Sequence, residues 1–154
     1  MGAGRNSGPA SRQSRLAKAM GLTWSDRVLL AEAMAALALI RAGLIVVSFR
    51  RLEQFVGRTA GRRRRSVGTA DRIAWAIRVG NRFVPWGTCL SESLASQILL
   101  SRRGLPYRLT LGVRRGEGNR FQAHAWIESN GQIVCGGEQA EGFVPLTIFE
   151  GGEA

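Results

Sequence analysis

The stretch TCLSESLASQILLSRRGLPYRLTLGVRRGEGNRFQAHAWIESNGQIVCGGE, residues 88–138, decides the fold. It opens on a helix with clear boundaries. Thr88 is an N-cap residue, Leu90, Leu94 and Ile98 recur every four positions, Arg102 and Arg103 occupy the last turn, and Gly104 followed by Pro106 stops the helix. Cys89 therefore falls in the first turn, where unpaired backbone N–H groups and the positive end of the helix dipole favour a negative sulfur and can donate to a developing oxyanion. The bland alternative is a buried cysteine acting as a small hydrophobe. The helix start, reached through Pro85-Trp86-Gly87, favours the nucleophile.

Two strand patterns follow. Residues 105–113 alternate with Tyr107, Leu109, Leu111 and Val113 on one face. After a charged, Gly-rich turn at 114–119, Phe121, Ala123, Ala125 and Ile127 share one face of a partner strand, and Gln122, His124, Trp126 and Glu128 share the other. His124 is the chain's single histidine. A lone strand histidine is more often structural than catalytic, and it gains its role from Cys89: thiol, imidazole and carboxylate are the parts of a cysteine nucleophile with its base and orienter. Trp86, Gln122 and Trp126, in the approach to the cysteine and on the histidine's face, are the candidate substrate-binding residues.

The carboxylate depends on register. If Asn130-Gly131 forms a two-residue type I′ loop, Ser129 pairs with Gln132 and His124 faces Gly137. If Gly131 is instead the left-handed residue of a three-residue loop with a bulge, Glu128 pairs with Gln132, His124 faces Gly136, and Glu138 lies one diagonal step from the imidazole. The second register is preferred because it supplies the imidazole with a partner, making Glu138 the third candidate catalytic residue. Glu128 is its reserve and Glu141 a weaker one. The apolar run at 143–149, with Pro145 inside it, reads as an edge strand.

Upstream, residues 1–21 are rich in Gly, Ser, Ala and Arg without apolar periodicity and are expected to be a disordered arm. Residues 22–57 form a helical module. Thr23, Ser25 and Asp26 offer caps, and the Ala/Leu/Met-rich run is expected to be helical through about Arg41, with Gly43 dividing it from a β-branched half. Val28 to Phe49 is long enough to span a bilayer, but Glu32 and Arg41 would each cost roughly 2.5–3.5 kcal/mol near its centre. A soluble helix or helix pair is the preferred reading, with membrane association the lesser one. Residues 58–68, containing the four-arginine run Arg62 to Arg65, read as a linker, and residues 69–150 as the core domain, entered by an amphipathic helix carrying Ile73, Trp75, Ala76 and Ile77.

Composition sets the outer limits. The 154 residues suffice for one domain, and 45% hydrophobic content suffices for a core. The net charge of +11, all arginine except Lys18, suits an anionic partner without choosing one. The basic run lacks the interleaved aromatics of a nucleic-acid surface, so no nucleic-acid partner is expected. Two cysteines and one histidine do not make a metal site, no cofactor is implied, and Cys89 and Cys135 are expected to be reduced in a cytoplasmic protein.

The order CLSESLASQILLSRRGLPYRLTLGVRR and then FQAHAWIESNGQIVCGG, preceded by DRVLLAEAMAALALIRAGL and FRRLEQFVGR, resembles the leader peptidases of lasso-peptide biosynthesis. These are transglutaminase-like cysteine peptidases, the peptidase half of the split B protein. The resemblance covers about residues 22–149. It implies an α+β fold, papain-like or transglutaminase-like, with the nucleophile helix packed on a small antiparallel sheet. It also implies cleavage of a ribosomally made precursor peptide between leader and core, with a separate small leader-recognition protein presenting the leader. Cys89 matches the family's nucleophile and His124 its base. Where family members tend to carry an acid just after the return strand, this chain has Gly136, and Glu138 is the nearest acid. Two other readings stay open: a non-enzymatic basic binding module, and an amide transferase on the same fold.

Overall fold

The structure is a computed structural model that describes residues 22–46, 51, 69–84, 87–116, 118 and 120–152. The expected arm at 1–21, the arginine linker at 58–68 and the candidate residue Trp86 lie outside the described residues. Among the described residues the architecture is α+β: helices α1 (Trp24–Val46), α2 (Ala70–Gly80) and α3 (Cys89–Arg102) precede a sheet of β1 (Tyr107–Arg115), β2 (Phe121–Ser129), β3 (Gln132–Cys135) and β4 (Val144–Gly151). A 3-10 turn, Gly137–Gln139, sits between β3 and β4. The sheet is antiparallel throughout, in the order β3-β2-β1-β4.

Helix α3 is the centre of this packing. It touches α1 and α2 on one side and β1, β2 and β3 on the other. Leu94, Ala95, Leu99 and Leu100 are buried, and so are Ser91, Ser93, Ser96, Gln97 and Ser101. A helix covered on both sides needs small residues where backbones approach, and its hydroxyls need partners. Ser96 Oγ donates to the Glu92 carbonyl at 2.8 Å, and Gln97 Nε2 donates to the Tyr107 hydroxyl at 3.1 Å. The expected boundaries of α3 are present. Thr88 and Ser91 form a capping box, an interaction worth about 1 kcal/mol. At the other end, Gly104 has φ 67° and the Gly104 and Leu105 amides return to Ser101 and Leu100, closing a Schellman motif.

Helix α1 runs unbroken through Gly43, whereas the sequence suggests a division there. Leu44, just beyond the glycine, packs against the core, and tertiary contact outweighs the roughly 1 kcal/mol that an interior glycine costs. Leu29, Ala33, Ala36, Leu37 and Ile40 make its buried stripe. By length and composition α1 is the one helix among the described residues capable of crossing a membrane. Its two interior charges are used inside the protein. Glu32 accepts from Arg103, the C-cap residue of α3, at 2.6 Å, and Arg41 donates to the Val84 carbonyl and to Asn81 Oδ1.

In the sheet, β4 lies at the edge, and Pro145 stands opposite Gly112 beside an irregularity in the β1–β4 ladder. The β2–β3 hairpin corrects the preferred register. Ser129 pairs with Gln132, and Asn130 and Gly131 both have positive φ, 50° and 75°, so the loop is the two-residue type I′ form. A bulge does occur, but further along: Glu128 pairs with Ile133 and Ile127 with Cys135, which leaves Val134 as the extra residue. Strand β3 then stops at Cys135, before reaching His124.

Candidate active site

His124 lies on β2 past the point where β3 ends, so the chain beyond Cys135 is free to turn across it. Gly136, in the left-handed region at φ 78°, makes that turn and brings its own carbonyl to 2.6 Å from His124 Nε2. A carbonyl only accepts, so Nε2 carries the proton and Nδ1 is the basic nitrogen of the neutral ring. No side chain fits at Gly136. A Cβ there would stand 2.5 Å from the Ala125 carbonyl oxygen.

The imidazole is held on its faces as well. Trp126 stacks on it at 6.2 Å with planes 19° apart, and the Phe143 ring lies 5.2 Å away. Both crowd the space above Gly112, the residue opposite His124 in the ladder. A Cβ at Gly112 would come within 2.9 Å of the Trp126 ring and 3.1 Å of Phe143 Cβ. The arrangement fixes the ring by packing, and His124 is 6% exposed.

Cys89 and His124 line one open cavity of about 770 Å³. Cys89 reaches it from the first turn of α3 and is half-buried. Arg114 and Phe143 close one part of the rim, the arginine sitting 4.6 Å over the phenyl ring and donating from Nε to Gln122 Oε1 at 2.8 Å. Glu138 and Glu141 line the same cavity.

The candidate residues thus fall in distinct places. Gln122 lines the cavity, while Trp126 is buried behind the imidazole and supports it. Glu138 is exposed on the 3-10 turn and forms no hydrogen bond or ion pair with the described residues; the histidine's acceptor is the Gly136 carbonyl. Glu128 pairs with Arg108 along the ladder, away from the cavity. Sequence reasoning passes over Arg114, Phe143 and the Gly136 carbonyl.

It also passes over Glu92, three residues after Cys89 and hence on the same side of α3. Its half-buried carboxylate accepts from Asn81 Nδ2 at 2.6 Å. Burial raises its pKa above the ordinary carboxylate value, opposed by the charge of Arg41, the Asn81 hydrogen bond and the charge of His124. The spacing from Cys89 was the available signal.

The second thiol is in a different environment. Cys135 is packed against α3, with the Ser93 and Ser96 hydroxyls each 3.6 Å from its sulfur. Burial pushes its pKa up to about 11, so it is a neutral thiol at physiological pH. No curated protein and no solved structure matches the chain. The model of the Transglutaminase-like superfamily, whose cysteine-dependent peptidases and transferases fit a thiol and an imidazole on one cavity, matches residues 33–147, and the chain belongs to that family.

Proposed function

We propose that this protein is a cysteine endopeptidase that removes the leader from a ribosomally made lasso-peptide precursor. The observation that carries the reading is the pairing of Cys89, at a capped helix start, with His124, whose Nε2 is committed to the Gly136 carbonyl, on one cavity. Family membership supports a thiol enzyme, and the sequence blocks around Cys89 and His124 support the leader-peptidase assignment. The proposed setting is cytoplasmic, with a separate small leader-recognition protein delivering the precursor.

In the mechanism, His124 Nδ1 takes the proton as the Cys89 S–H bond breaks, and the sulfur attacks the scissile carbonyl. Backbone N–H groups of the α3 first turn face the developing oxyanion. The C–N bond then breaks, the leaving amine takes the proton from His124, and a thioester remains on Cys89. Water, deprotonated by the same imidazole, hydrolyses the thioester and returns the thiol. Amide transfer differs only in that an amine replaces water at the last step.

The test is incubation of a precursor peptide with the protein and a leader-binding partner, followed by mass spectrometry. Cys89→Ala and His124→Ala are expected to abolish leader release. Leader release by Cys89→Ala would overturn the reading, and products carrying an added competing amine would reassign the enzyme as a transferase.

A further inference from the structure

Helix α1 is apolar on two opposite sides. One side is the buried stripe of Leu29, Ala33, Ala36, Leu37 and Ile40, which belongs to the core shared with α2 and α3. On the other side, exposed positions recur three and four residues apart, from Trp24 and Val28, through four alanines and Leu39, to Ile45 and Val46. At 3.6 residues per turn these positions fall within about a third of the helix circumference. Trp24 is 78% exposed, Leu39 70% and Ile45 87%. A helix resting on a core ordinarily turns polar residues to water. Here Arg27, at one edge of the stripe, is the one charged residue exposed on α1 among the described residues.

The distribution of charge is independent of this geometry. Residues 1–68, which contain α1, hold 13 of the 22 Lys and Arg residues and three of the 11 Asp and Glu residues. Residues 69–154 are nearly balanced, with nine basic against eight acidic. We propose that the outward face of α1 docks in the plane of an anionic lipid bilayer, its apolar stripe in the headgroup boundary and the basic charge of the chain around it against acidic headgroups. Asp26 to Arg72, Glu32 to Arg103 and Arg41 to Asn81 tie α1 to the rest of the protein, so the helix lies on the surface with one side presented and does not cross. A second copy of the chain is a poorer occupant, since it brings two such positive regions together. A protein partner suits the face less well, because protein interfaces carry about one hydrogen bond per 100–200 Å². Apart from Arg27 at its edge, the stripe offers one hydrogen-bonding side chain, the indole of Trp24 at its end, a residue suited to the membrane boundary. Neither Cys89 nor His124 takes part in the docking.

The test is sedimentation of the full-length protein with vesicles of phosphatidylcholine alone or of phosphatidylcholine mixed with phosphatidylglycerol. Binding to the anionic vesicles and little to the neutral ones is expected, with a blue shift of tryptophan emission that Trp24→Phe reduces. Ala35→Glu and Leu39→Glu, both at exposed positions, are expected to weaken binding about tenfold or more, because each puts a carboxylate into the apolar boundary. Leu146→Glu, at an exposed position of β4, is expected to bind like wild type. Equal binding to neutral vesicles, binding unaltered in both α1 glutamate variants, an emission shift unchanged in Trp24→Phe, or an equal loss in Leu146→Glu would each overturn the proposal. A dimer in light scattering that Leu39→Glu dissociates would also overturn it and assign the face to a second copy. Circular dichroism of each variant confirms that the fold is retained.

Discussion

The two thiols occupy opposite ends of one packing problem. Cys89 begins α3, where the backbone amides have no intrahelical partners and a cavity opens in front. Cys135 ends β3 against the middle of the same helix, where Ser93 and Ser96 approach its sulfur and burial holds it protonated. The difference is position relative to the helix axis, since residue type is the same. A thiol at the helix start meets exposed N–H groups and an open cavity, whereas one against the helix flank meets side chains and loses water.

The sharpest way to break this comparison is to exchange roles by deletion. Cys89→Ala is expected to lower leader cleavage about 10,000-fold or more, the scale set by loss of a nucleophile, while Cys135→Ser stays near wild type in the same mass-spectrometric assay. Chemical modification sharpens it next. A thiol with a pKa of about 11 is thiolate in only about one molecule in a thousand at pH 8, so iodoacetamide should label Cys89 first and reach Cys135 on unfolding. Peptide mapping after timed alkylation reads both rates, and equal rates in folded protein would erase the distinction.

A third test moves to the turn after Cys135. Gly136→Ala forces a side chain into a left-handed position and against the Ala125 carbonyl, at an expected cost of about 1–3 kcal/mol in denaturant unfolding. The same change displaces the acceptor of His124, so cleavage should fall even at temperatures where the variant is folded. The smallest effect concerns Glu92. Its folded-state pKa is raised by burial, so its contribution to stability is present below the ordinary carboxylate range and is lost as pH rises through the raised value. Glu92→Gln removes that loss while keeping an acceptor for Asn81. Its stability relative to wild type should therefore increase between pH 4 and 7, measured by unfolding at both ends.

What the sequence makes legible follows from where backbone chemistry is written in residue types. Thr88, Gly104 and Pro106 bound α3 because caps and terminators have few chemical solutions, and Asn130-Gly131 names its turn for the same reason. The need of an imidazole for a carboxylate is no force on the backbone, and the Asn-Gly pair, which is one, sets the loop. The bulge at Val134 is a count of residues on opposing strands, with no residue type to announce it. The buried serines of α3 were hidden similarly. A period of four in Leu90, Leu94 and Ile98 suggests one apolar face, but a helix enclosed on both sides places small polar residues at its close approaches. Of the candidate site, Cys89 and His124, which line one cavity, could be picked out from chain order. The hydrogen-bonded network that joins Glu92 to Asn81 and Arg41 could not, because its members come from elements far apart in sequence.

The Gly136 carbonyl has a consequence for how this protein can change over generations. A side-chain orienter depends on the functional group its codon supplies, whereas a main-chain oxygen depends on the backbone path, which at this position only glycine permits. Selection at position 136 therefore acts on a torsion angle, and the contact that holds the imidazole survives any drift that leaves the backbone path intact. A comparison that looks for a functional group at this position will find an empty glycine and pass over the atom that matters.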